Sequence, residues 1–136
     1  MTLLVDTSVW SLAFRRDAPP DDARVRALRD ALGGGEAVAS TGLILTEVLR
    51  GALPPGVRDV IRERFSYLDL VEPTFSDYEQ AAAIANACRG HGVQLGTVDA
   101  VIAQLAISRE LTLLSADRDF EHAARFLPLQ LWSAAS

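Results

Sequence analysis

The chain contains no lysine; all thirteen of its basic residues are arginine. That absence excludes a P-loop, which requires Gly-Lys-Ser/Thr. It also excludes a Schiff-base lysine and the phosphotransfer folds that pair an aspartate nucleophile with a lysine. There are only two histidines, His91 and His122, too few and too poorly spaced for a histidine-rich metal cluster. The single cysteine, Cys88, cannot form an internal disulfide, which fits a reducing cytoplasm. Its simplest role is that of a small buried hydrophobe on a helix. No apolar run approaches the ~20 residues of a membrane helix. The N-terminus lacks the basic region, apolar stretch and small-residue cleavage site of a signal peptide, and Asp6 would interrupt such a stretch.

What is present describes a soluble globular chain. The 136 residues predict one domain over 1–136 with a real core, and a hydrophobic share of 49% against 23% charged residues suits that class. A net charge of −5 argues against a basic protein that coats nucleic acid. It leaves room for a nucleic-acid enzyme whose acids are concentrated in one site, with arginines elsewhere on phosphates.

Strands and helices alternate along the chain. Residues 2–6 read as a strand and 8–14 as a short helix, before the turn signal "RRDAPPDD" at 15–22. Asp21 or Asp22 opens a helix with Ala23, Val25, Leu28 and Leu32 on its apolar face, stopped by "GGG". "EAVAST" reads as a strand, then "TGLILTEVLRGAL" and "GVRDVIRERFSYL" as helices and "LDLVEP" as a strand. "SDYE" at 76–79 fits a Ser-x-x-Glu capping box for a helix running to about Gly90. Thr97 is expected to cap "VDAVIAQLAISRE"; "LTLLS" is a fourth strand, a short helix starts at Asp117, and "LPLQLW" is a last edge strand. This alternation predicts an α/β fold with a mainly parallel sheet and helices on both faces.

Five acids stand apart from the rest. Asp6 ends the first strand, Glu47 lies among aliphatic neighbours in "LILTEVLRG", and Asp99 opens a very apolar helix. Asp117 and Asp119 follow the fourth strand, whereas Asp21, Asp22, Asp59, Glu63 and Asp77 fall where water is expected to solvate them. Taken singly, each of the five has a structural explanation: Asp6 as a helix cap, Asp99 at the positive end of a helix dipole, Glu47 paired with Arg50, and Asp117 and Asp119 as cap and first-turn acids. Taken together, acids from four segments would converge on the carboxyl edge of the sheet, where open α/β folds place their chemistry. Neighbouring carboxylates cannot all stay ionised without compensation. An all-oxygen set favours Mg²⁺ or Mn²⁺ over zinc, and such a site suits phosphodiester hydrolysis.

At this point the chain resembles the PIN-domain ribonucleases, specifically the VapC-type toxins of bacterial toxin–antitoxin pairs. The resemblance rests on "VDTSVW" at 5–10, "TEVLRG" at 46–51, "TVDAVIAQLA" at 97–106 and "LSADRDF" at 114–120, four blocks in order over nearly the whole chain. It implies a Rossmann-like α/β/α sandwich and a Mg²⁺- or Mn²⁺-dependent endoribonuclease that cuts RNA by metal-activated water, leaving a 5′-phosphate and a 3′-hydroxyl. Carried over by motif, Asp6, Glu47, Asp99 and Asp117 are the core acids and Asp119 is a fifth, with Asp6, Asp99 and Asp117 or Asp119 on the metal. Thr7, Ser8 and Thr97 fall where the family has hydroxyls that orient acids. The resemblance also implies a homodimer and a cognate VapB-type antitoxin.

Softer expectations accompany it. Arg15, Arg16, Arg50, Arg89 and Arg118 are nearest the motifs as phosphate contacts, and "RRDAPPDD" and "GHGVQLG" are placed to influence target choice. Leu12, Phe14, Leu49, Leu53, Ile61 and Phe65 could line a groove for an antitoxin helix, although core packing explains most of them more simply. Rival readings differ in which of these residues they require. A PIN-like processing nuclease outside a toxin–antitoxin pair would share every acid. A non-cleaving PIN-like binding module would have lost one or more of them, and none is lost. Haloacid-dehalogenase-like phosphatases need a second Asp where Ser8 stands, and a lysine.

Overall fold

The computed structural model describes residues 1–14 and 21–134, so most of the "RRDAPPDD" turn, with Arg15 and Arg16, lies outside the described residues. The chain runs β1 (Thr2–Val5), α1 (Thr7–Phe14), α2 (Ala23–Leu32), β2 (Ala37–Ser40), α3 (Gly42–Leu49), α4 (Val57–Ser66) and β3 (Asp69–Leu70). It continues through α5 (Phe75–Gly90), α6 (Thr97–Ser108), β4 (Thr112–Leu114) and α7 (Arg118–Ala123). Among the described residues the four strands form one all-parallel sheet in the order β3-β2-β1-β4, flanked by helices as the α/β pattern predicts.

The central strands are buried on both faces, as parallel strands under helices must be. Leu3, Leu4 and Val5 of β1 and Leu113 and Leu114 of β4 are sealed from solvent. Helix α6 buries Ala100, Val101, Ile102, Ala103, Leu105 and Ala106, nearly its whole circumference. On the other side Trp10 of α1 stacks on Phe14 at 5.7 Å and meets Phe65 of α4 at 4.5 Å between ring centroids.

Several expected boundaries shift. The capping box at the start of α5 is Thr74-x-x-Asp77, not Ser76-x-x-Glu79: Asp77 N–H donates to Thr74 Oγ1 and Thr74 N–H donates to the Asp77 carboxylate. The N-cap of α6 is Gly96 and Thr97 is already helical, so Thr97 caps nothing. Strand β3 shrinks to two exposed residues, a short edge of the kind that resists further pairing. The expected last strand is a single parallel bridge between Leu113 and Leu131, held by Leu113 N–H to Gln130 O and Trp132 N–H to Leu113 O. Of the hydrophobics considered for a groove, Ile61 and Phe65 are core; Leu12, Phe14, Leu49 and Leu53 are half-buried against it.

Candidate active site

The sheet order makes β1 and β4 neighbours whose connections leave in opposite directions, the switch point at which open α/β sheets bind their ligands. Val5 is in register with Leu114, so the next positions, Asp6 and Ser115, emerge side by side at that edge. Asp6 is buried. Its N–H extends the ladder to Leu114 O at 2.9 Å, and its carbonyl accepts from Val9 and Trp10 to start α1. Its carboxylate has other partners. Oδ2 accepts two hydroxyls, Ser8 Oγ at 2.8 Å and Ser115 Oγ at 2.9 Å.

These hydroxyls also shape the loop after β4. Ser8 Oγ accepts the N–H of Ala116 at 2.9 Å and Ser115 Oγ accepts the N–H of Asp117 at 3.0 Å. The position of Asp117 is thereby tied to that of Asp6. Asp117 is the N-cap of α7, with Oδ1 accepting the N–H of Asp119 at 2.9 Å. The capping role expected of it is real and occupies one of its oxygens. Across the edge, Thr7 Oγ1 donates to Glu47 Oε1 at 2.8 Å, anchoring the α3 acid to the start of α1.

Asp99 reports how these groups converge. Its carboxyl is pushed up to about 7, first by burial at the foot of α6, then by the negative charges of Asp6, Asp117, Glu47 and Asp119 in decreasing order. The other four acids singled out in the sequence thus all act on Asp99, from three further segments of the chain. Asp117 weighs on Asp99 more than Asp119 does. Of the three hydroxyls expected to orient acids, Thr7 donates to Glu47 and Ser8 donates to Asp6. Thr97 is exposed and faces a cleft between α5 and α6 with Tyr78, Arg89 and Val101.

Sequence reasoning missed one participant, Ser115, and misplaced a structural acid, Asp77. Ser115 has the same relation to β4 that Asp6 has to β1, and a hydroxyl at the end of the strand paired to β1 is the signal that could have found it. Asp77, placed among the solvated acids, is buried and bonded to Arg109 at 2.7 and 2.8 Å, which holds its carboxyl far below the usual carboxylate range. Arg50, Arg89 and Arg118 are exposed, and Arg89 is bonded to Asn86.

The residues fit a hard divalent cation by donor chemistry: all-oxygen, mutually repelling, and without histidine, lysine or cysteine. Among the described residues no three His, Cys, Asp or Glu side chains are drawn together closely enough to hold an ion as they stand.

Fold and edge together define an α/β protein with an acid-lined switch point. The chain belongs to the PIN domain family, which it matches over residues 3–126. Among its relatives, Ribonuclease VapC11 of Mycobacterium tuberculosis is 29% identical over 130 residues, covering 94% of this chain and 96% of the relative. The fold is similar to that of VapBC2 from Rickettsia felis, solved bound to a DNA fragment from their promoter, with a TM-score of 0.68 at 18% identity over 98% of this chain and all of that one. It is likewise similar to VapC20 of Mycobacterium tuberculosis, described as a sarcin-ricin loop cleaving toxin, with a TM-score of 0.66 at 21% identity over 94% and 98%. Among the described residues no helix is long and apolar enough to cross a membrane.

Proposed function

We propose that this chain is a Mg²⁺- or Mn²⁺-dependent endoribonuclease, the toxin of a VapBC-type pair, acting in the cytoplasm as a homodimer and held inactive by a VapB-type antitoxin. The observation that carries the reading is the joint action of Asp6, Glu47, Asp117 and Asp119 on the Asp99 carboxyl in a chain of the PIN family. Near-full-length similarity to a VapC ribonuclease supports the RNA substrate. Structural likeness to a VapBC complex agrees with the antitoxin.

In this reading Asp6, Asp99 and Asp117 would hold the cation, with Asp119 nearby. When bound, the ion supplies charge compensation to the scissile phosphate and lowers the pKa of a water. Asp6 is held in place by Ser8 and Ser115, so its carboxylate needs little reorganisation before it can bind. Thr7 fixes one oxygen of Glu47 and aims the acid at the same edge. Asp99 must release its proton before it can donate an oxygen to a cation, so occupancy near neutral pH is proton-coupled. Hydrolysis leaves a 5′-phosphate and a 3′-hydroxyl.

The test is cleavage of total cellular RNA by purified, antitoxin-free protein in Mg²⁺ or Mn²⁺ against EDTA, with end-mapping and Asp6→Asn as control. Discrete metal-dependent cuts absent from the variant are the expected result. Intact RNA with wild type and variant alike contradicts it.

A further inference from the structure

The chain's only two histidines, far apart in sequence, line one cavity of about 540 Å³. His91, Gly92 and Val93 come from the turn that ends α5; His122, Arg125 and Phe126 come from the end of α7 and the turn after it. The rings of His91 and Phe126 stack at 4.2 Å between centroids and 21° between planes. The turn holding His91 is tightly built. Gly92 sits at φ +78°, where a side chain would be strained, and the N–H groups of Gly92 and Val93 return to the carbonyls of Arg89 and Cys88. His91 is exposed.

The opposite wall is cationic. Arg125 is exposed and has no carboxylate partner among the described residues, unlike Arg24, Arg26, Arg62 and Arg109, each paired with an aspartate. Arg125 N–H donates to His122 O, which keeps the two side chains on one turn. The neighbouring acid, Glu121, lines a different cavity with Asp22 and Ser115.

The cavity is built on the elements that carry the acids. His122 lies one helical turn beyond Asp119 on α7, about 4.5 Å along its axis. The segment after Val93 leads into the first turn of α6, where Asp99 sits. A chain of net charge −5 repels RNA, so a substrate strand needs a cationic hold. An aromatic platform beside a guanidinium is the combination that captures an unstacked nucleotide: the base stacks, and the phosphate takes a forked pair of hydrogen bonds.

We propose that the His91–Phe126 pair with His122 and Arg125 forms a nucleotide subsite for single-stranded RNA beside the acidic edge. One base stacks on His91, and the adjoining phosphate is held by Arg125 with His122. This rests on the reading of the chain as a ribonuclease, and it adds where the strand is gripped.

The experiment measures binding of a 5′-fluorescein, mixed-sequence 12-nucleotide single-stranded RNA by anisotropy in EDTA, with cleavage of total RNA in Mg²⁺ scored on the same preparations. Arg125→Gln and His91→Ala should each weaken binding about tenfold, and Arg125→Gln should reduce the salt slope by about one. His91→Phe preserves the platform and should bind as wild type. Asp6→Asn should bind undiminished while cleavage is lost. In cleavage, Arg125→Gln and His91→Ala should raise KM with kcat little changed. Unchanged binding and KM in both variants overturns the subsite and leaves the nuclease reading standing. Arg125-dependent binding without any cleavage overturns the nuclease reading and leaves an RNA-binding site. A wild type that binds no RNA overturns the subsite. So do cavity variants that bind RNA normally but lose capture of a co-expressed antitoxin, because the cavity is then a protein contact.

Discussion

Ser115 Oγ donates to Asp6 Oδ2 at 2.9 Å while accepting the N–H of Asp117 at 3.0 Å, so one hydroxyl fixes two acids 111 positions apart, the closing contact itself spanning 109 positions. Ser115→Ala removes both bonds without touching the core. The expected result is a fall of about tenfold in the rate of RNA cleavage, with roughly 1 kcal/mol lost in urea unfolding. Ser115→Thr, which keeps the hydroxyl, should recover most of the rate. Full activity in the alanine variant would mean the loop holds Asp117 without this bond.

Asp99→Asn removes the carboxyl on which four others act. Cleavage should be abolished, yet the metal-free protein should be more stable at pH 8 by about 1 kcal/mol, a few degrees in Tm. The sign follows from linkage. A carboxyl at about 7 in the folded chain and 3.8 unfolded contributes stability that is complete below about pH 4 and is lost as pH rises through 7. Wild type should therefore lose stability over that window, and the variant should not. A less stable variant at pH 8 would point to a capping role for Asp99.

Asp77 has the opposite dependence. Arg109 and the Thr74 N–H hold its carboxyl below its unfolded value, so its contribution is present above about pH 4 and is lost as pH falls through the folded value. Asp77→Asn should destabilise the fold by about 2 kcal/mol at pH 7, because the half-buried Arg109 is left without its carboxylate. The difference from wild type should shrink steadily below pH 4. Thermal unfolding of both proteins across pH 2–8 reads this directly.

Much of this arrangement is legible in the sequence. The alternation of strands and helices gives the α/β class, and the five acids stand out because each interrupts or abuts an apolar run. What escapes is what depends on pairs formed across the fold. Ser115 becomes informative only once β4 is known to lie beside β1. Asp77 reads as a solvated first-turn acid until Arg109, at the far end of α6, is brought over it. The α5 box moved from Ser76 to Thr74 because two overlapping cap signals differ by only two positions, and tertiary packing selects between them. "LPLQLW" has the composition of a strand but finds only one bridge at the β4 edge.

The central claim is that the acids around Asp99 form one cation site, and calorimetric titration of Mn²⁺ into metal-free protein tests it most directly. Wild type should bind at pH 8, bind more weakly at pH 6 with protons released on binding, and lose the signal in both Asp6→Asn and Asp99→Asn. Equal binding by wild type and the two variants, or no dependence on pH, would contradict the account.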